Sequence, residues 1–427
     1  MSNEITAEII SIGDELLIGQ TINTNAGWMG DQLGLIGIRP KRVLTIGDDR
    51  QEILDALGAA ECDVVLITGG LGPTKDDITK HTLCEFFDTH LVRHADIEAR
   101  IVAFFQSLSR DPLDVNRAQA DLPANCIVIP NDRGTASGMW FEVARAKGSS
   151  GANDRVFVSM PGVPFEMQAM MLAHVLPKLK EHFAPPTIVH RTILTTGLGE
   201  SHLAKRIEAW EDSLASERIK LAYLPSPGTV KLRLSTYADT NANAAHERVD
   251  RKAEELHGLI PELIFGEGEE RLSQVLGRLL KERGQTLSLA ESCTGGYVSH
   301  LITSIPGSSA YFTGGVISYA NAVKMEELGI PSDMLELNGA VSQPVAEQMA
   351  TGVRAALRTD WSVALTGIAG PDGGTPEKPV GTVWMAVAGP DGVQSVLGKF
   401  PGRRSTIIEG SALAALNLLR KRLLAST

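Results

Sequence analysis

Three short, largely apolar runs near the start of the chain most restrict what it can fold into. Glu8–Ile12, Val43–Ile46 and Val64–Thr68 are too short for buried helices, and each stops at a turn rich in Gly or Asp. Between them lie stretches with helical spacing. One helix is expected from about Thr24, with Ala26, Met29, Leu33 and Ile36 on its inner face, and another across Glu52–Ala60. Strand, helix, strand, helix, strand is the order of a parallel sheet with helices on both faces. Ligands of such sheets sit beyond the carboxyl ends of the strands. Asp14 and Glu15, Asp48 and Asp49, and the stretch GGLGPTKDD (Gly69–Asp77) all follow strand ends, so they are expected to converge.

That convergence has a definite chemistry. Gly69, Gly70 and Gly72 let backbone approach a ligand and offer N–H groups to phosphate, with Thr74 beside them. The pattern G-x-x-x-x-G-K-[ST] is absent, so this is not a Walker loop. Asp76 and Asp77 are placed to open the next helix. Carboxylates there either cap the helix or hold a hard divalent cation that bridges phosphates.

A chain of 427 residues is long enough for two to four domains. Its net charge of −11 disfavours general affinity for DNA or anionic membrane. Aromatics at 5% with 42 glycines suit a turn-rich α/β protein better than a stacking surface for bases. Cys62, Cys84, Cys126 and Cys293 form no CxxC and no metal-like spacing, the pattern of a reduced, cytoplasmic protein. The beginning carries Glu4 and Glu8 rather than a basic start before an apolar segment, which is unlike a signal peptide. No run is apolar enough to span a membrane.

Beyond Asp77, strands are expected at Cys126–Ile129, Gly138–Val143 and Arg155–Ser159. KGSSGAN (Lys147–Asn153) reads as a hairpin tip, and a Met-rich helix follows MPGVPFEM (Met160–Met167), its methionines facing a core. Together GDELLIGQTINTN, TGGLGPTKDDIT, NRAQADLP, NDRGTASG and MPGVPFEM resemble the N-terminal domain of the competence/damage-inducible CinA family, which is similar to molybdopterin-binding proteins. The resemblance implies an ADP-ribose pyrophosphatase using a divalent ion (Mg, Mn or Co). Asp14, Asp76 and Asp77 are then its metal contacts, and Gly69, Gly70, Gly72 and Thr74 its ligand loop.

Ala184–Pro185–Pro186 marks a joint. After it, strands at Arg191–Thr195, Leu221–Tyr223 and Thr229–Ser235 and helices at Ser201–Trp210 and Ala242–Leu256 make a small α+β unit. This unit resembles the KH-like insert of CinA proteins. It lacks the GXXG clamp of nucleic-acid-binding KH domains. Twelve Lys/Arg also face eleven Asp/Glu over 171–257, so it reads as a spacer or dimerisation element.

In the last region an amphipathic helix, Arg271–Arg283, leads to the apolar run Thr286–Ala290 and then to Glu291–Ser292–Cys293–Thr294–Gly295–Gly296 before a further helix. A hydroxyl at a strand-to-helix junction sits among unpaired N–H groups at the positive end of a dipole. Ser292 is therefore either a nucleophile whose attack creates an oxyanion or, like Thr294, a helix cap. Gly314–Ser318 is expected to be a strand. Tyr319–Lys324 enters the next helix, with Asn321 its cap and Lys324 in the first turn. There the dipole and any burial disfavour the ammonium, and a neutral lysine can take a proton from serine. The alternative is a solvated lysine. Val363–Leu365 runs into TGIAGPDGG, whose Thr366 and Gly367 begin a second wall. Arg403 and Arg404 follow a strand near Val396–Phe400 and either hold a phosphate or stand exposed.

AESCTGG, SYANAVK, TGIAGPDGG, KPVGTVW and FPGRR resemble the C-terminal CinA domain, which also occurs alone as a nicotinamide mononucleotide (NMN) amidohydrolase. The resemblance implies Ser292 as nucleophile and Lys324 as base, with Tyr319 orienting Lys324 or the ligand. Thr294, Gly295, Gly296, Thr366, Gly367 and Arg404 then hold the oxyanion and substrate. Arg403 stands where the family usually has Asp.

The expected architecture is thus α/β in three parts: residues 1–170 molybdopterin-binding-like, 171–257 KH-like, and 258–427 the amidohydrolase domain. Expected ligands are NMN, with no cofactor for its hydrolysis, and ADP-ribose with the metal. Nucleic acid and membrane are not expected as partners, and a homodimer is. The alternatives are a molybdopterin-type nucleotide-binding module or a non-enzymatic partner in competence or DNA damage.

Overall fold

The computed structural model describes residues 4–74, 77–144, 154–238 and 242–426. They fall into two units, Met1–Ile188 with Tyr237–Thr240, and Val189–Thr236 with Asn241–Thr427. The hairpin tip expected at Lys147–Asn153 lies outside the described residues.

In the first unit, β1 (Thr6–Ile12), β2 (Arg39–Ile46), β3 (Val64–Thr68), β4 (Leu91–Arg93), β5 (Asp121–Pro123), β6 (Ile127–Ile129), β7 (Gly138–Val143) and β8 (Arg155–Met160) follow in turn. Six of them form a sheet of order β2-β1-β3-β8-β7-β6; β4 and β5 make a separate ribbon. β2, β1, β3 and β8 are parallel, and β7 and β6 extend the sheet antiparallel.

Successive side chains of a strand point to opposite faces, and that alternation divides the core. Ile9, Val64, Leu66 and Val158 pack against helix Thr24–Leu35 and against Met167, Met170 and Met171. Ile10, Val65, Ile67 and Phe157 pack on the other face with residues of helices Arg50–Ala59, Thr79–Phe86 and Ala95–Ser107.

The expected boundary at 170/171 needs correction. It falls inside one helical run, Pro164–Met170, Met171–Val175 and Leu176–Phe183. The methionines on both sides of that boundary fill the same core. The run stops at Ala184, in the left-handed region at φ 42°, immediately before the two prolines that marked the joint.

The second unit begins with β9 (Ile188–Thr196), β10 (Lys220–Ser226), β11 (Thr229–Tyr237) and β12 (Ile264–Glu267), in the order β10-β11-β9-β12. The expected boundary at 257/258 cuts helix Ala242–Leu259 and omits β12, which pairs antiparallel with β9. A four-residue strand with a shifted register leaves little periodicity to read.

The last sheet contains β13 (Leu287–Glu291), β14 (Phe312–Ile317), β15 (Trp361–Gly367), β16 (Thr382–Gly389) and β17 (Gly392–Lys399), in the order β14-β13-β15-β16-β17. The first three are parallel; β16 and β17 are antiparallel additions. Ala290, Ala364, Ala386 and Ala388 make a small-residue face for helix Gln343–Leu357. Leu289, Val363 and Leu365 face helices Leu272–Glu282 and Arg404–Ala425. Among the described residues no helix is long and apolar enough to cross a membrane.

Candidate active site

The carboxyl ends of two adjacent parallel strands bring the candidate residues together. Glu291 and Ile317 are paired at the ends of β13 and β14, and the Ser318 N–H donates to the Glu291 carbonyl at 2.8 Å. Ser292 continues β13 by one bond, its N–H donating to the Leu365 carbonyl of β15 at 3.0 Å. The chain then turns through Gly295 and Gly296, at φ 59° and 100°, into helix Tyr297–Thr303. Only glycine takes such angles without strain.

Glu291 holds this turn. Its side chain is 1% exposed and accepts from the N–H groups of Gly296 (3.0 Å), Val298 (3.0 Å) and Ser299 (2.8 Å), and from Ser299 Oγ (2.7 Å). This overturns part of the expected oxyanion site. The Gly296 N–H is taken by Glu291, and the Gly295 N–H donates to the Ser292 carbonyl at 3.1 Å. Among the described residues, the N–H groups of Cys293 and Thr294 have no protein acceptor. The donors next to the hydroxyl are therefore shifted one residue back from the glycines. Glu291 escaped sequence reasoning because its role depends on a turn that folds back over it, which no spacing encodes.

Lys324 enters from helix Asn321–Leu328, where Ala320, not Asn321, occupies the capping position. Its side chain is 1% exposed, and its Nζ lies 3.1 Å from Ser292 Oγ, 2.7 Å from the Ser318 carbonyl and 3.4 Å from the Tyr319 carbonyl. No carboxylate pairs with it among the described residues, and burial lowers its pKa from the ordinary lysine value. A neutral amine has two N–H groups and one lone pair. Two carbonyls take the N–H groups, and the lone pair is left for the Ser292 hydroxyl. The solvated-lysine alternative is thereby excluded.

Cys293 neighbours the pair but is buried in the core of this domain. Burial pushes its thiol up to about 12, so it stays protonated near neutrality. Arg404 opens helix Arg404–Ala425 and donates from Nη1 to the Gly370 carbonyl (2.7 Å) and from Nη2 to the Tyr319 hydroxyl (2.9 Å). Tyr319 thus meets Lys324 through its carbonyl and Arg404 through its ring hydroxyl. Thr366 is buried and spends its hydroxyl on the Ala340 carbonyl at 2.8 Å. A Cβ on Gly367 would fall 2.7 Å from a Val383 methyl, so close strand packing accounts for that glycine.

In the first unit a cavity of about 460 Å³ opens where β1, β3 and β8 end, and Gly69, Gly70, Gly72 and Asp77 line it. Gly69 and Gly70 have φ of 111° and 65°. A Cβ there would meet the Ile12 carbonyl at 2.1 Å and Thr79 Oγ1 at 2.0 Å, so close approach demands glycine. The Gly69 N–H donates to the Met160 carbonyl and the Gly72 N–H to Asp77 Oδ1, which leaves Gly70 and Leu71 with N–H groups lacking a protein acceptor among the described residues.

Among the described residues, the expected metal contacts do not come together. Asp77 accepts from the Gly72 N–H (2.7 Å), the Thr74 N–H (2.8 Å) and the Thr74 hydroxyl, so it ties the loop instead of opening the helix, which starts at Thr79. Asp14 and Asp48 exchange side-chain-to-backbone bonds at 3.1 and 3.3 Å. Asp76 lies outside the described residues. Among the described residues no group of three or more His, Cys, Asp or Glu is arranged to hold a metal ion.

Fold and site together define a multidomain α/β protein with a molybdopterin-binding-like first domain, a small KH-like domain and a C-terminal domain carrying a buried Ser–Lys pair. The chain matches the family models for a probable molybdopterin binding domain over residues 8–181, the damage-inducible protein CinA KH domain over 190–266 and the CinA C-terminal domain over 269–423. It is 42% identical over 425 residues to a CinA-like protein of Cytophaga hutchinsonii, covering 99% of each chain. It is 43% identical over 422 residues to a CinA-like protein of Flavobacterium psychrophilum, covering 98% of each. Among solved structures, the competence/damage inducible protein CihA from Agrobacterium tumefaciens is 38% identical, with a TM-score of 0.35 over 35% of this chain and 92% of that one. The chain belongs to the CinA family.

Proposed function

We propose that the C-terminal domain hydrolyses the carboxamide of NMN to nicotinate mononucleotide and ammonia. The observation that carries this reading is a buried amine, without a counter-ion among the described residues, 3.1 Å from a serine hydroxyl at the end of a parallel strand. Lys324 takes the proton of Ser292 as Oγ attacks the amide carbon. The carbonyl oxygen becomes an oxyanion and accepts from the free N–H groups of Cys293 and Thr294. As the C–N bond breaks, the Lys324 ammonium returns its proton to the leaving nitrogen, and ammonia departs. Water, deprotonated by Lys324, then attacks the acyl-enzyme; the acid leaves and the proton returns to Ser292. Arg404 uses two of its five N–H donors within the protein and keeps the rest for the substrate phosphate. The test is ammonia release from NMN by the purified chain. Ser292→Ala and Lys324→Ala are each expected to remove nearly all of it, and an active Ser292→Ala refutes the assignment.

For the N-terminal domain we propose binding of a phosphorylated ligand, with ADP-ribose the candidate. The support is the cavity at the strand ends with the free N–H groups of Gly70 and Leu71 in its loop. Cleavage to AMP and ribose 5-phosphate rests on the family resemblance. Incubation with ADP-ribose and a panel of divalent ions decides it: AMP release supports the pyrophosphatase, and its absence in every case leaves a binding domain.

A further inference from the structure

The second unit has another cavity, remote in role from the Ser–Lys pair. It measures about 500 Å³ and lies between the KH-like sheet and helix Arg404–Ala425. That volume is typical of small-ligand sites. On the KH-like side, β9 ends and Gly197–Leu198–Gly199 leads into helix Glu200–Leu214, fifteen residues long, whose capping position is Gly199 with no side-chain cap. The N–H groups of Gly199, Glu200 and Ser201 have no protein acceptor among the described residues. An uncapped helix start concentrates positive potential and unspent donors.

The opposite wall contributes an independent feature. Asn417 is 6% exposed, and its Oδ1 accepts from Arg420 Nε at 3.0 Å. Arginine can only donate, so this bond fixes the amide: oxygen toward Arg420, nitrogen toward the cavity wall at Gly197. A Cβ built on Gly197 would lie 3.6 Å from that Nδ2. Asn417 Nδ2 has no acceptor among the described residues, although each nitrogen of Arg420 has one, the other two donating to the Ile264 and Glu262 carbonyls at 2.9 and 3.0 Å. The residue is buried while its Nδ2 opens to the cleft, so the amide is held in one orientation with a donor available to whatever occupies the cavity. Lys399 adds an exposed ammonium to the lining, in no ion pair among the described residues; Glu200 is the lone carboxylate there.

We infer that this cleft binds a small phosphate-bearing ligand, its oxygens accepting from the Asn417 amide and the start of helix Glu200–Leu214, with Lys399 as counter-charge. Nothing in the Ser–Lys reading is needed for it. The shared chemistry is a tetrahedral oxyanion, free or esterified, and the two sources separate by probe.

The experiment is calorimetric titration of the full chain with inorganic phosphate and, separately, with glycerol 3-phosphate. Asn417→Asp keeps the acceptor for Arg420 while replacing the donor by a negative charge, so binding should weaken by about tenfold or more. Lys399→Ala, at an exposed position, should weaken it by a few fold and lessen its salt dependence. Arg404→Ala removes the proposed substrate-phosphate contact and should leave this binding intact. Stronger binding of glycerol 3-phosphate identifies an ester as occupant; equal or weaker binding identifies free phosphate. The inference is overturned if neither probe binds at millimolar concentration, if binding vanishes with Arg404→Ala alone, or if Asn417→Asp and Lys399→Ala both leave the isotherm unchanged. Should Asn417→Asp lower the melting temperature, Lys399→Ala decides.

Discussion

Replacing Lys324 by methionine should abolish hydrolysis and, at the same time, change how stability depends on pH. The side chain is 1% exposed and has no counter-ion among the described residues, and burial lowers its pKa below the ordinary value of 10.5. In the unfolded chain the amine holds its proton up to about pH 10.4. Between the lowered folded value and that limit the unfolded state binds more protons, so the wild type gains stability as pH rises. The slope approaches about 1.4 kcal/mol per pH unit and is flat outside that window. Methionine has nearly the same length and no proton to lose, so this slope disappears from the variant. Its own cost is the unpaired Ser318 and Tyr319 carbonyls, about 1–3 kcal/mol together and independent of pH. Toward neutrality the variant should therefore gain on the wild type. Above about pH 10.5 it should be the less stable by the carbonyl cost alone. Denaturant midpoints measured across pH for both chains by tryptophan fluorescence, to which Trp361 and Trp384 of this domain contribute, give the difference. Ammonia release from NMN should fall by at least about 10²–10⁴, the share of a general base. A stability difference that stays constant across pH would show Lys324 holding its proton throughout, and the base assignment would fail.

Cys293→Ala should keep the rate within a few fold, because its thiol, pushed up to about 12, is not ionised at neutral pH; a loss equal to that of Ser292→Ala would make the sulfur the nucleophile. Glu291→Gln turns one accepting oxygen into a donor facing N–H groups, leaving one or two buried donors unpaired at a cost of about 2–4 kcal/mol. Its kcat for NMN should fall by about 10–100-fold through misplacement of Ser292, and unchanged kcat with lowered stability would show a purely structural carboxylate. Tyr319→Phe removes the acceptor for Arg404 Nη2, so KM for NMN should rise a few fold while kcat holds; equal loss in both would put the phenol at the reacting atoms.

The parallel sheets were legible where burial was complete. β1 and β3, buried at every residue, match their apolar runs closely. β2 starts at Arg39 rather than Val43 because it is an edge strand whose first residues face solvent, so polar side chains mask it. The same distinction runs through the candidate site. Ser292 and Lys324 could be singled out because each residue type carries reactivity of its own at a strand-to-helix junction. The roles of Glu291 and Asp77 were unreadable in that way, since each acts by completing hydrogen bonds whose partners are chosen by a turn.

That difference also explains why the two candidate sites fared unequally. A two-residue pair needs only adjacent strand ends, and the neighbouring places of β13 and β14 supply them for residues 32 positions apart. A metal set needs three or more side chains aimed at one point. Asp14 and Asp77 follow the right strands, yet Asp77 spends both oxygens, and Asp14 one, on backbone N–H groups of their loops. Carboxylates beside tight glycine turns answer first to the local backbone, so acidic residues after strand ends are weaker evidence for a metal than a lysine buried without a carboxylate is for a base.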